Sequence, residues 1–232
     1  MQFESDGPKA IPCWINGHAY LSVADSFFDV LNPATGEAIR RVPLSGAAEA
    51  AEAVAAARAA QASWAETGLS ARRVCLSVLA DALDRYADHF AKLLTEECGV
   101  DEASAKAEVG EAVAALRGAT VGQTGVFGLV LDASRPLAAF AEILAPAVTA
   151  GATLVVKPSP KAPSAVFALC ELSSRADWPA GILNLLQGDS AAIGGLCTAA
   201  IDRLVYGGNA TLGAQVGAMA EAAGVRFEMQ AA

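Results

Sequence analysis

Leu137-Ala-Ala-Phe-Ala-Glu-Ile-Leu-Ala-Pro-Ala-Val-Thr-Ala-Gly-Ala-Thr-Leu-Val-Val156 runs for 20 residues with a single charge, Glu142. An apolar stretch of about 20 residues is long enough to cross a bilayer as a helix. Pro146 and Gly151 interrupt this one, and its character changes part-way. The first portion is rich in Ala and Leu, whereas Ala152-Thr-Leu-Val-Val156 is short and β-branched, which suits a strand. The stretch reads as a buried helix running into a buried parallel strand, not as a membrane span.

The same alternation continues on both sides. Apolar strand candidates are Val126–Leu131, Thr153–Val156, Ile182–Leu186, Arg203–Tyr206 and Val225–Met229. Between them lie helical segments at 136–150, 164–175, 190–199 and 210–223. Strand and helix repeated at this spacing predict an α/β fold. We expect a doubly wound, mostly parallel five-stranded sheet with helices on both faces. Such sheets bind ligands beyond the carboxyl ends of their strands.

Two further zones precede this core, spanning 125–229. Residues 10–45 form a small β-ribbon broken by turns: Trp14-Ile-Asn-Gly17, Phe27-Phe-Asp-Val-Leu31 and Asn32-Pro-Ala-Thr-Gly36. Asn-Gly and Asn-Pro pairs are hairpin and turn chemistry, and a ribbon of this size must pack on something else to be stable. Residues 46–117 are helical, with runs to Trp64, from a Ser70 cap to Leu94, and over 103–116. In the second run Val74, Leu76, Leu79, Leu83 and Tyr86 recur at helical spacing and predict an apolar stripe facing the core. The whole chain, 1–232, reads as a single domain.

The chain has 232 residues, 54% hydrophobic and 18% charged, with a net charge of −9. That composition excludes a disordered chain, and the acidic balance argues against nucleic acid and anionic membranes. Glu4 and Asp6 near the start, with no apolar core around them, do not make a signal peptide; a cytoplasmic location is the expectation. Five scattered cysteines (Cys13, Cys75, Cys98, Cys170, Cys197) form neither a CxxC pair nor a disulfide framework. His18 and His89 lack ligand spacing, so no metal site is expected.

Candidate sites follow the strands: Lys157-Pro158-Ser159-Pro160, then Gln187-Gly188-Asp189, then Gly207-Gly208-Asn209-Ala210-Thr211-Leu212-Gly213. The last is a glycine turn opening a helix, where free N–H groups and the helix dipole favour an anion such as pyrophosphate. It is not a G-x-G-x-x-G fingerprint.

Taken together these residues resemble the aldehyde dehydrogenase superfamily over nearly the whole chain. Pro146-Ala-Val-Thr-Ala-Gly-Ala-Thr-Leu-Val-Val-Lys-Pro-Ser159 is similar to that family's "APALAAGNTVVLKPSE", and Pro179-Ala-Gly-Ile-Leu-Asn184 with Gly188-Asp189 to its "PPGVLNVVTGDG". The opening ribbon and the helices around Ala55-Ala-Ala-Arg58, Trp64 and Ala71-Arg-Arg73 are similar too. The resemblance implies a Rossmann-like NAD-binding fold, truncated to the N-terminal cofactor-binding domain. On that reading Lys157, Ser159, Gly188, Gly208, Asn209 and Leu212 are the cofactor-binding candidates.

The chain also departs from the family pattern. The family's catalytic cysteine lies in a second domain, which would begin where this sequence stops at Ala232. In place of "PWNFP" stands Asp132-Ala-Ser-Arg-Pro136, so Ser134 replaces the amide that holds the oxyanion. Pro160 stands where the family has a ribose-gripping Glu, and "GSTxxG" has become Gly208-Asn-Ala-Thr-Leu-Gly213. Glu228 matches the family's acid/base glutamate, but the "GGK" after it is missing. The segment from Leu116 to Gly125 is shorter than the family's and lacks a hairpin used in subunit assembly. Covalent thioester chemistry needs a nucleophile, an oxyanion donor and a base in one constellation. We therefore expect a pseudoenzyme with vestigial Ser134 and Glu228, binding NAD(P) weakly or not at all. Its expected role is structural or regulatory, as a homo-oligomer or with a full-length dehydrogenase. Apolar surface at Val126–Leu131, Val225–Met229 and the 13–31 ribbon is expected to need that partner. The alternatives are the nucleotide-binding half of a split NAD(P)-dependent dehydrogenase, and an adenine-nucleotide sensor.

Overall fold

The computed structural model describes residues 8–20 and 26–231. Residues 21–25 of the expected ribbon, and the two extremes of the expected 1–232 domain, lie outside the described residues. The strands are β1 (Lys9–Ala10), β2 (Cys13–Ile15), β3 (His18–Tyr20), β4 (Phe27–Leu31), β5 (Ala38–Pro43), β6 (Val126–Leu131), β7 (Thr153–Lys157), β8 (Leu183–Leu185), β9 (Arg203–Gly208) and β10 (Phe227–Ala231). The helices are α1 (Ala47–Glu66), α2 (Leu69–Arg85), α3 (Ala87–Cys98), α4 (Glu102–Arg117), α5 (Pro136–Thr149), α6 (Ser164–Arg175), α7 (Ser190–Thr198) and α8 (Ala210–Ala222).

The five expected strands pair in parallel in the order β10-β9-β6-β7-β8. The chain starts at β6, proceeds outward through β7 and β8, then returns to the other side of β6 with β9 and β10. This reversal makes the β6–β9 junction a topological switch point. The sheet is wider than the sequence predicts. The hairpin β2–β3 adds antiparallel to β8 through Trp14 opposite Leu185, giving seven strands. Asn16 and Gly17 turn that hairpin with φ of 54° and 81°, as a two-residue I′ loop requires. The remaining ribbon strands form a separate sheet, β1-β5-β4.

Strand alternation divides the core between two faces. Phe127, Leu129, Leu131, Leu154, Val156 and Val205 pack with α2 to α6, whereas Val126, Val130, Val155, Leu204 and Tyr206 pack with α1, α7 and α8. Every residue of β6 is buried. The expected water-facing surface is therefore absent from Val126–Leu131, because this strand is central and both faces are covered. Exposed apolar side chains sit elsewhere: Met229 on the edge strand β10, and Phe27 and Leu31 on β4.

The helical zone differs from expectation in detail. The run expected from 70 to 94 breaks at Tyr86, which ends α2 and begins α3. The N-cap is Gly68, not Ser70. Val74 and Tyr86 lie in solvent, and the buried stripe of α2 is Arg72, Leu76, Leu79, Ala80 and Leu83. Buried charged groups tie this zone to the core. Arg72 donates from Nε to the carbonyl of Thr149 at the end of α5 (2.9 Å) and from Nη1 to that of Ala65 (3.1 Å). Glu108 on α4 accepts from the N–H groups of Leu137 and Ala138, at 2.9 and 3.3 Å. Glu97 on α3 accepts from the Ser164 N–H at 2.9 Å and from its hydroxyl. Each carboxylate thus satisfies the free donors that open a helix, although burial pushes both carboxyl groups upward in pKa. No helix among the described residues is long and apolar enough to cross a membrane.

Candidate functional site

The carboxyl edge of the parallel strands carries the loops that sequence singled out, and the switch point lies where β6 and β9 end. β6 runs directly into Asp132, whose carboxylate is 6% exposed as a residue. Its Oδ1 accepts from the Ser134 N–H (2.9 Å) and the Ser134 hydroxyl (2.6 Å). Its Oδ2 accepts from the Asn209 N–H and the Asn209 side-chain amide, both at 2.7 Å, and from the Tyr206 hydroxyl at 3.4 Å. Burial opposes ionisation of this carboxyl, but the bonds from Ser134 and Asn209 outweigh it and hold the pKa below the ordinary carboxylate value. Burial and the adjacent Asp132 charge raise the Tyr206 phenol.

The carboxylate lies directly over the glycine turn. Gly208 has φ +148°, and a Cβ built there would stand 2.3 Å from Asp132 Cγ and 2.4 Å from its Oδ2. Asn209 then caps α8, its Oδ1 accepting from the Leu212 N–H at 2.9 Å. Leu212 itself is partly exposed on the first turn. Three of the expected residues, Gly208, Asn209 and Leu212, are therefore together at one helix start. Asp132, quoted from the sequence only as the first residue of Asp132-Ala-Ser-Arg-Pro136, is what meets them. An Asp two positions before Ser signals a local Asx turn, but its partner 77 positions away leaves no local signal.

Gly188 behaves in the same way. At φ +133°, its missing Cβ would lie 2.8 Å from the Ala192 Cβ and 3.1 Å from both backbone N and O of Ser45. The loop entering α1 occupies that space. Asp189 caps α7 by accepting from the Ala191 N–H at 2.9 Å.

Lys157 is the last residue of β7, opposite Val130 of β6 and on the α1 side of the sheet. It is 3% exposed and makes no ion pair among the described residues. Burial lowers its pKa to about 8, with Asp189 partly opposing the shift. Ser159 accepts from the Lys161 N–H at 3.3 Å and shapes the turn that follows.

Ser134 and Glu228 are not brought together. Ser134 lies beyond the carboxyl end of β6 and donates its hydroxyl inward to Asp132. Glu228 pairs in register with Val205, and its Oε1 meets Nη1 of Arg203 at 2.5 Å. Arg203 opens β9 at the amino end, its side chain 7% exposed, 4.7 Å above the Phe127 ring. Glu228 is thus directed away from the switch point and engaged by a buried cation. Gln230 is two residues nearer the carboxyl edge, level with Gly207, with its amide on Glu142 at 3.4 Å.

The model of the aldehyde dehydrogenase family matches residues 20–124 and 123–231. Glutarate-semialdehyde dehydrogenase from Pseudomonas aeruginosa is 32% identical over 219 residues, covering 84% of this chain and 45% of the relative. Two solved structures share the fold. One, of a methylmalonate-semialdehyde dehydrogenase from Sinorhizobium meliloti complexed with NAD, has a TM-score of 0.90 and 26% identity, covering 97% of this chain and 51% of that one. The other, of aldehyde dehydrogenase C from Pseudomonas syringae complexed with NAD+ and octanal, has a TM-score of 0.87 and 28% identity, covering 95% and 50%. The chain spans about half the length of the curated relatives it matches.

Proposed function

The chain belongs to the aldehyde dehydrogenase family, and from that premise we propose that it is a non-catalytic relative with a structural, regulatory or assembly role. One observation carries the reading: the glycine turns at the carboxyl edge are filled from within, Gly208 by Asp132 and Gly188 by Ser45 and Ala192. A dinucleotide needs an open approach to the backbone and unspent N–H donors for its phosphates. Here the Asn209 N–H is spent on an internal carboxylate. The residues present do not fit the family's NAD-type cofactor. Ser134 and Glu228, engaged by Asp132 and Arg203, add no acid–base pair at the switch point.

On this reading residues 1–232 act as one cofactor-type domain with a ribbon (10–45), a helical segment (46–117) and a Rossmann-like core (125–229). Its partner is a second copy or a full-length dehydrogenase. The edge of β10, unpaired among the described residues, and the exposed Met229 support such an association. Calorimetric titration with NAD+ and ADP-ribose tests the proposal. No saturable heat is expected through the millimolar range, and a low-micromolar dissociation constant refutes it.

Lys157 favours a second reading, the nucleotide-binding half of a split dehydrogenase. It places a buried cation without an ion pair, among the described residues, at the end of β7 beside Ser159. If NAD+ does bind, Lys157→Ala weakens it under this reading. An adenine-nucleotide sensor differs by binding without turnover in any pairing with a cysteine-bearing half.

A further inference from the structure

We infer that Asp132 is a built-in competitor for diphosphate, a specificity-determining residue that by itself closes the switch-point turn to phosphate-bearing ligands. The inference rests on the non-catalytic reading above and deepens it by naming the residue responsible and the ligand class it turns away.

Two independent observations meet here. The carboxylate occupies the volume against Gly208 where a ligand would approach the backbone, closer than even a single added carbon could be. It also brings a negative charge, fixed by four donors within 3 Å from Ser134 and Asn209. A phosphate oxygen approaching the Asn209 N–H would have to displace those bonds and then share the turn with a like charge. Both effects act against the same ligand. Solved structures of the same fold are complexed with NAD, and in this chain the closing group is a side chain, the Asp132 carboxylate. The turn beneath remains formed independently of Asp132, because Asn209 caps α8 through its own Oδ1 on the Leu212 N–H. Removing the carboxylate therefore leaves a capped helix with one freed backbone donor beside a glycine.

The charge around the turn sets the expected ligand. Lys157 lies on the same face at the end of β7, two strands from β9 with β6 between them, and supplies a cation, while the charge of Asp189, the N-cap of α7, acts on it. A diphosphate with an attached nucleoside can use the cation and the freed donor together, whereas an uncharged nucleoside gains neither.

The test compares the wild-type chain with Asp132→Ala and Asp132→Ser, using ADP-ribose, inorganic pyrophosphate and adenosine as probes. Calorimetry reads affinity, and far-UV circular dichroism verifies that each variant is folded. Asp132→Ser retains an acceptor for Asn209 and serves if Asp132→Ala fails to fold. Asp132→Asn, which keeps the volume and removes the charge, separates the two effects. We expect ADP-ribose and pyrophosphate to bind at least tenfold tighter to Asp132→Ala or Asp132→Ser than to wild type. Adenosine should be unchanged, and Asp132→Asn should gain less than the smaller residues. Lys157→Ala combined with Asp132→Ser should reverse the gain. Folded variants no better than wild type overturn the inference and leave the non-catalytic reading standing. An equal gain for adenosine overturns it as well, because the effect would then not be directed at phosphate. Micromolar binding by wild type that the substitutions leave unaltered overturns both; wild-type binding that they tighten tenfold overturns only the non-catalytic reading.

Discussion

Gly208→Ala should destabilise the protein strongly, and about half of that cost should vanish in a background that already lacks Asp132. The added Cβ would stand 2.3 to 2.7 Å from the Cγ and both carboxylate oxygens of Asp132. Carbon contacts settle near 3.5–4.0 Å, so the carboxylate must withdraw by about an ångström or more and release Asn209. Non-glycine residues at such positive φ add strain of about 1–3 kcal/mol. Losing charge-assisted bonds to two backbone N–H groups costs about 1.5–3 kcal/mol each before relief of the carboxylate's burial is subtracted. A net of about 2–3 kcal/mol for that part is reasonable, since the Ser134 and Asn209 side chains are exposed and regain water. The single variant should therefore lose about 4–5 kcal/mol, and Asp132→Ala about 2–3. In the double variant only the strain adds to the Asp132→Ala loss, leaving a coupling of about 2–3 kcal/mol. Urea unfolding at pH 7, followed by circular dichroism and tryptophan fluorescence, measures all four corners of the cycle. Additivity within about 0.5 kcal/mol would refute the reasoning, since distant, uncoupled sites behave that way.

Other expectations follow from the same geometry. Gly188→Ala, crowded by Ser45 and Ala192 at 2.8 to 3.1 Å, should cost about 2–5 kcal/mol from strain and overpacking; a change under 1 kcal/mol in urea unfolding would mean that the α1 entry loop yields. Lys157→Met should raise stability at pH 7 by up to about 3 kcal/mol, because the buried ammonium gives up its proton near pH 8 in the folded state. In wild type the unfolded chain then holds more protons between about pH 8 and 10.5, so stability rises across that window; the variant should lack the rise. The depressed carboxyl of Asp132 contributes stability above its unfolded pKa that is lost as pH falls through the folded one. Wild type should accordingly lose more stability than Asp132→Asn on acidification below about pH 4. Light scattering at micromolar concentration should give a mass above 23.5 kDa; a mass that stays at that value on concentration would rule out self-association.

What the sequence determined by itself was the layered alternation of the core. Leu137–Val156 reads correctly as helix then strand because a change from Ala and Leu to β-branched residues, punctuated by Gly151, is a local signal. The strand Val126–Leu131 and the helix Ser164–Arg175 have the bounds that their patterns predict. The Asn16-Gly17 turn was likewise legible, since its backbone demands are met within two residues. The sequence did not disclose where that hairpin docks, because Trp14 meets Leu185 across 171 positions and either edge of the sheet offers the same unpaired backbone. It placed Val74 and Tyr86 on the α2 stripe, where periodicity alone cannot say which side of a helix its neighbours cover. The candidate residues Lys157, Gly188, Gly208 and Asn209 were found from their positions after strands, but what surrounds them was decided only on folding. Asp132 reaches Asn209 from the neighbouring strand, and Ser45 reaches Gly188 from another zone of the chain. Whether a glycine turn is open to a ligand or filled depends on such distant groups, and hydrogen bonds and excluded volume between them exist only once the strands are side by side.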